Sequence, residues 1–222
     1  GTFWDAIAAV GGPRRRPREA VDALAEAIQI IRELLQGGVV NHRGRHYTVE
    51  HAELFTLHPA PPPILVSGFG PKAVQFAAEV ADGYCLVGPQ PEMVAQFRAT
   101  GGEGKVVQAG LKVCYGPDAP RALATAHRLW ATDALPGELA QILPTPEHFE
   151  QATQLVTPEM VAESVPYGPD LSRHVEAIQR YADAGVDELY VQQIGGDHTE
   201  FFRAYAADVL PRFAEEPVSA TR

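Results

Sequence analysis

Cysteine is nearly absent from the 222 residues: Cys85 and Cys114 are the only two. Two thiols cannot build the multi-bridge framework that holds small secreted folds together, and each sits in an apolar run. Buried, reduced thiols in a cytoplasmic protein are expected. Long hydrophobic runs are missing as well. Stretches such as Ile64-Leu65-Val66 fall far short of the roughly 20 residues a spanning helix needs, and no basic-then-apolar leader opens the chain. Basic residues are outnumbered, 18 Lys and Arg against 28 Asp and Glu, for a formal charge of −10. A surface of that sign repels phosphate backbones. The one basic run, Arg14-Arg15-Arg16, reads as a solvated turn ahead of an acidic helix. Neither a nucleic acid nor a membrane is expected as a partner.

Several catalytic signatures are also missing. The chain has no Gly-x-Ser-x-Gly elbow, no phosphate-loop Lys-Ser/Thr pair and no dinucleotide glycine fingerprint. Its histidines are His42, His46, His51, His58, His127, His148, His174 and His198. None pairs with another at helical i, i+4 spacing beside an acid, so no metal site is expected. Glu26 and Glu33 read as solvated helix faces. No nucleophile or general base emerges, and the catalytic residues stay unassigned.

Glycine and proline, 20 and 19 residues, punctuate what is there. Val21, Leu24, Ile28, Ile31 and Leu35 recur at steps of three and four, which predicts a helix over 18–36 with one apolar stripe, stopped by Gly37-Gly38. The β-prone pairs around Gly44 predict a small hairpin over 39–49. Prolines 59 and 61–63 exclude helix and lead into the strand Ile64 to Ser67. Helix 72–81, strand 83–87, helix 91–98, strand 106–115 and helix 119–130 follow. A proline-rich stretch with short helices covers 136–160. Then come helix 171–184, strand 188–194 and a closing helix, 199–213. Strands apolar on both sides, each followed by a helix, predict an α/β fold with a parallel sheet. Four strands start near Ile64, Tyr84, Val106 and Leu189, with a fifth near Phe3 to Val10. A full (β/α)8 barrel needs eight strands and about 250 residues, so an incomplete barrel, one domain over 1–222 with two open sheet edges, is expected.

Two places could carry chemistry. Ser67-Gly68-Phe69-Gly70 lies where a strand ends and a helix opens at Pro71. Unpaired amides at such a corner suit a phosphate, glycines let the ligand approach, and Pro71 needs no donor. A plain turn needing glycine for shape is the alternative. Gln192 and Gln193 end the last strand, where alternation lets only one of them face the strand mouth. That residue could contact a ligand or bridge to a neighbouring strand or loop.

The segment Pro63–Val87, PILVSGFGPKAVQFAAEVADGYCLV, resembles the fifth strand, helix and sixth strand of luciferase-like oxidoreductases. The branch related to F420-dependent glucose-6-phosphate dehydrogenase is the nearer. VVNHRGRHY (39–47), QAGLKVC (108–114), ALPGELAQILPTPEHFEQATQL (134–155) and VQQIG (191–195) extend the resemblance over roughly residues 18–213. It implies a truncated TIM barrel of the luciferase-like type, with the phosphate-bearing chain of coenzyme F420 on the backbone of Ser67, Gly68, Phe69 and Gly70. FMN is the alternative cofactor. It implies an oxidoreductase moving a hydride between deazaflavin and a small organic substrate. A homodimeric remnant without turnover is the alternative. The family's first three strands, which carry an Asp, a His and a Trp near the ring, have no counterpart. GTFWDAIAAVGGPRRRPREAV stands where the fourth strand leads into a Glu- and Asn-bearing loop, with neither the Glu nor the Asn at the matching positions. Positions matching the basic substrate-phosphate ligands hold Gln90 and Gln151, with no Arg in 162–164. Those amides, with Val87, Gln192 and Gln193, are the substrate-pocket candidates. A dianion needs charge-assisted partners, so glucose 6-phosphate is not the expected substrate.

Overall fold

The computed structural model describes residues 15–137, 139–196 and 198–214, so the strand expected near Phe3 to Val10 lies outside the described residues. The elements are helix α1 (Pro17–Gln36), strands β1 (Val40–Arg43), β2 (Thr48–Ala52) and β3 (Leu65–Ser67), then helix α2 (Pro71–Val80) and β4 (Gly83–Leu86). Next come α3 (Pro91–Phe97), β5 (Val106–Val113), α4 (Ala119–Trp130), α5 (Leu139–Ile142), α6 (Pro146–Thr153) and α7 (Pro158–Ser164). The described chain closes with α8 (Leu171–Asp183), β6 (Glu188–Gln193) and α9 (His198–Ala204). α9 continues through a wide turn at Tyr205–Val209 rather than as one regular helix to residue 213.

Strands β3, β4, β5 and β6 form one sheet in that order, and β1 pairs with β2 alone. β3 and β4 run parallel, with Leu65 opposite Gly83 and Ser67 opposite Cys85. Asp187 N–H donates to Val107 C=O at one end of the β5–β6 pair and Ile194 N–H to Val113 C=O at the other, so these strands also run the same way. Sequential order with a helix between neighbouring strands is the α/β pattern of a partial (β/α)8 barrel. The chain divides into two compact units. Among the described residues, one holds 15–86, 90–108 and 184–188; the other holds 87–89, 109–183 and 189–214.

In the first unit, Val66, Val74, Ala77, Ala78, Tyr84, Leu86, Phe97 and Val107 are buried. Burying each large apolar side chain contributes roughly 2 kcal/mol relative to leaving it in water. α1 departs from the predicted stripe. Ala23, Ile28 and Ile30 are buried, while Leu24 and Ile31 remain 39% and 45% exposed. The hairpin explains the rotation. Glu26 is not a solvated acid: its carboxylate accepts from His42 Nε2 (3.0 Å), His46 N–H (3.0 Å) and Tyr47 N–H (2.9 Å). Residues three before and four after Glu26 share its face, which puts Ala23 and Ile30 on the hairpin side. Burial works to raise the Glu26 pKa, but the hydrogen bonds from His42, Tyr47 and His46 outweigh it and hold the carboxyl below its usual range.

The second unit has its own core. Cys114, Ala122, Ala126, Ala131, Leu135, Val156, Val161, Val165 and Ile194 cluster, with Trp130, Phe149, Met160 and Tyr167 packed around them. That cluster orders the proline-rich stretch. Its helices start at N-caps Thr145 and Thr157, whose hydroxyls accept from His148 N–H and Met160 N–H at 3.4 Å. β5 and β6 are not apolar on both sides. Val107, Ala109, Leu111 and Val113 are buried, whereas the alternate positions are less so, and Tyr190 on β6 is 62% exposed. The buried positions of β5 share one face, and the alternate face carries Gln108, Gly110 and Lys112.

Candidate functional site

β3 stops at Ser67 and α2 starts at Pro71, so Gly68, Phe69 and Gly70 form the whole connection. Its two glycines do different work. A Cβ on Gly68 would lie 2.6 Å from Ala73 Cβ, so a side chain there collides with the first turn of α2. A Cβ on Gly70 would meet nothing within 4 Å, and the backbone there is extended at φ −158°. Shape therefore accounts for Gly68 but not for Gly70, which borders open space.

The donors of this corner are available. Gly70 C=O accepts from Ala73 N–H and Val74 N–H, both at 2.9 Å. Pro71 has no N–H, and the amides of Phe69, Gly70 and Lys72 have no protein acceptor among the described residues. Unpaired amides at a helix start carry partial positive charge and suit an anion. Ser67 is exposed beside them, and the Phe69 ring is 40% exposed. Below the turn, Tyr84 on β4 is fully buried. Its hydroxyl donates to Gly68 C=O at 2.6 Å, and its ring stacks on Phe97 at 5.2 Å between centroids. Burial, with Cys85 beside it, raises the Tyr84 pKa, keeping the phenol a neutral donor.

Gln90 occupies the N-cap of α3 in the same unit, and its Oε1 is buried with no hydrogen-bond partner. α3 is tied to the turn's far end by Gln96 Nε2, which donates to Pro71 C=O at 2.7 Å.

The remaining sequence-selected positions belong to the second unit. Val87 follows β4 and is 65% exposed. Gln151 is exposed on α6 and donates to Glu147 at 3.4 Å. Alternation separates the last two candidates as expected. Gln192 is exposed, whereas Gln193 donates to Tyr115 C=O and accepts from Tyr115 N–H, both at 2.9 Å. Both polar ends of the Gln193 amide are thus engaged by one backbone residue. Its structure follows the loop-bridging alternative.

His174 is the buried polar residue that sequence reasoning passed over. Its Nδ1 lies 2.7 Å from Tyr205 Oη and its Nε2 3.2 Å from Gly168 C=O. A carbonyl only accepts, so Nε2 carries the hydrogen and Nδ1 accepts from the tyrosine. Burial holds the His174 pKa below its ordinary value. The network is saturated, which makes it a structural brace for α8. A groove of about 450 Å³ in the same unit is lined by Glu163, Arg173, Glu176 and Arg180, and touches none of the candidate positions. Among the described residues, no group of three or more His, Cys, Asp or Glu gathers to hold a metal ion.

The luciferase-like monooxygenase profile matches residues 1–188. The chain belongs to that family. Among curated relatives, the F420-dependent glucose-6-phosphate dehydrogenase of Microbacterium testaceum is 31% identical over 206 residues, covering 87% of this chain and 61% of that protein. The chain thus spans about three fifths of the length of that relative. Solved structures share the fold. An F420-dependent secondary alcohol dehydrogenase, in complex with an F420-acetone adduct, superposes with a TM-score of 0.79 at 20% identity, over 97% of this chain and 68% of that one. The F420-dependent tetrahydromethanopterin reductase of Methanopyrus kandleri gives 0.66 at 20% identity, over 87% and 64%.

Proposed function

We propose that this chain carries the coenzyme-tail site of an F420-dependent oxidoreductase that moves a hydride between deazaflavin and an organic substrate other than glucose 6-phosphate. The observation that carries the reading is the corner after β3. Three amide donors there have no acceptor among the described residues, and open space faces Gly70. A phosphate on the coenzyme's side chain matches that donor set, and the family relatives are named for F420. When bound, the deazaflavin supplies the hydride acceptor; the protein's part is to fix its tail and exclude misplaced poses. The Phe69, Gly70 and Lys72 amides hold the anion, and Gly70 keeps the approach clear.

Glucose 6-phosphate is disfavoured as substrate although relatives are named for it. The positions that match the relatives' basic phosphate ligands in sequence hold the neutral residues Gln90 and Gln151, and a dianion needs cations to leave water. Residues 1–222 are read as one partial barrel domain of a homodimer in the cytoplasm. Exposed Leu24 and Ile31 on α1 and the free thiols Cys85 and Cys114 support that reading. No described helix is long and apolar enough to cross a membrane. Titration of the purified chain with F420 and, separately, FMN tests the proposal. Quenching or shift of deazaflavin fluorescence at micromolar protein is expected. Absence of binding with both cofactors would sink it.

A further inference from the structure

We infer that Tyr84 is a positioning residue for the anion cradle: by pinning Gly68 C=O inward, it turns the Phe69 N–H outward to the ligand. The inference rests on the coenzyme-tail reading above and adds a buried side chain to a site otherwise made of backbone.

The argument is geometric. Gly68 C=O and Phe69 N–H belong to one peptide plane, and in a trans peptide the two point in opposite directions. The carbonyl is held by the Tyr84 hydroxyl at 2.6 Å, a short bond to a donor that is fully buried. The N–H of the same plane therefore points away from the core, and among the described residues it has no protein acceptor. Rotation of that plane would turn the donor away and leave the phenol hydrogen only the weak acceptor Met93 Sδ, 3.7 Å away. Tyr84 has little freedom to follow. Its ring is stacked on Phe97, and its oxygen also lies 3.7 Å from Met93 Sδ. Gly68 completes the arrangement, because its carbonyl can sit against the β4 ring only if nothing projects toward Ala73, 2.6 Å from where a Cβ would be. Anchoring of a donor before the ligand arrives removes an ordering cost that binding would otherwise bear. A tyrosine whose hydroxyl served packing alone would have no such bearing on which ligand parts bind well.

Tyr84→Phe keeps the ring and the stack and deletes the pin. Two ligands are titrated against the variant and the unmodified chain: F420, and the same deazaflavin chromophore lacking the phosphate-bearing chain. F420 is expected to bind the variant about five- to tenfold more weakly, the scale of one buried hydrogen bond. Affinity for the tail-less chromophore is expected to stay within twofold, with the far-ultraviolet dichroism unchanged. Equal affinities of variant and unmodified chain for F420 overturn the assignment. So does parallel weakening of both ligands, which is what a purely structural role gives. A second measurement needs no variant: amide hydrogen exchange at Phe69 in the unmodified chain. Rapid exchange when free and protection by F420 support the pin, whereas an amide already protected in the free chain overturns it. If the unmodified chain binds the tail-less chromophore but not F420, the tail reading fails and takes the pin with it.

Discussion

In the first unit, the amino-terminal strand ends and the turn after β3 are built on opposite principles. At the amino-terminal ends, backbone and side chains are cross-linked twice by the same device. Asp82, just before β4, accepts from Ile64 N–H (2.8 Å) and Arg32 (2.6 Å), while its own N–H donates to Ile64 C=O at 2.9 Å. Asp187, just before β6, accepts from Val107 N–H (2.7 Å) and Arg98 (2.6 Å), while its N–H donates to Val107 C=O at 2.9 Å. Arg98 also donates to the carbonyls of Gly102 and Lys105. Each aspartate staples the start of its strand to the neighbouring one and neutralises a helix-borne arginine. The carboxyl end of β3 does the reverse. It runs into Gly68-Phe69-Gly70, where donors are left over and space is left open. Saturation of hydrogen bonds holds the strands together, and the shortage of partners in the turn after β3 leaves something for a ligand to satisfy.

That contrast can be broken or sharpened by substitution. The largest loss is expected from Asp187→Ala, which orphans Val107 N–H and removes the carboxylate partner of Arg98; urea unfolding should show about 2–3 kcal/mol of destabilisation. A change under 0.5 kcal/mol, the roughly neutral range of surface substitutions, would mean the staple is ornamental. Gly68→Ala is next, at about 2 kcal/mol, because the new methyl overlaps Ala73; a crystal structure showing the turn unmoved would contradict the steric account. Asp82→Asn should cost about 1 kcal/mol. Burial acts to raise the Asp82 pKa, but the hydrogen bonds from Ile64 and Arg32 prevail and lower it. Its contribution is thus present above the unfolded value of 3.8 and lost as pH falls through the folded one, so the cost should vanish in strong acid.

A smaller effect is expected at His174. Its folded pKa lies below the unfolded 6.5, so the neutral ring's contribution is complete above that value and declines as pH drops beneath it. Melting temperatures recorded from pH 7.5 to 5 should fall less steeply in His174→Gln than in the unmodified chain. Equal slopes would show that other groups set the acid response. Leu24→Glu, at an exposed α1 position, should shift stability by no more than about 0.5 kcal/mol in the monomer. A larger loss at high protein concentration would indicate a covered face.

Strand and helix order was legible because alternating apolar runs and Gly–Pro punctuation are local signals. The extent of α7, which runs on to Ser164, by contrast depends on packing within the second unit. What escaped sequence reasoning was tertiary. The buried face of α1 is set by Glu26 reaching a hairpin 16 to 21 residues later, which no helical periodicity encodes. At the candidate site, Ser67 to Gly70 could be chosen from the strand–glycine–proline pattern alone. Tyr84 could not, since its hydroxyl meets a carbonyl 16 residues earlier in the chain. Gln193 looked as available as Gln192 until β6 and Tyr115 were placed side by side. His174 looked like any other histidine on an amphipathic helix; only burial against Tyr205 and Gly168 sets it apart.

A paired titration tests the separation of turn and staple most directly. Gly70→Asp places a carboxylate in the open space before the free amides, and Asp187→Asn weakens the staple at the opening of β6. F420 affinity and urea midpoint are measured for both variants and the unmodified chain. The account predicts that Gly70→Asp weakens F420 binding by about tenfold or more, on the scale of 1.4 kcal/mol, with its midpoint unchanged, and that Asp187→Asn lowers the midpoint while the folded protein still binds. Unaltered F420 affinity in Gly70→Asp would contradict it, because the turn after β3 would then not be where the coenzyme's anion rests.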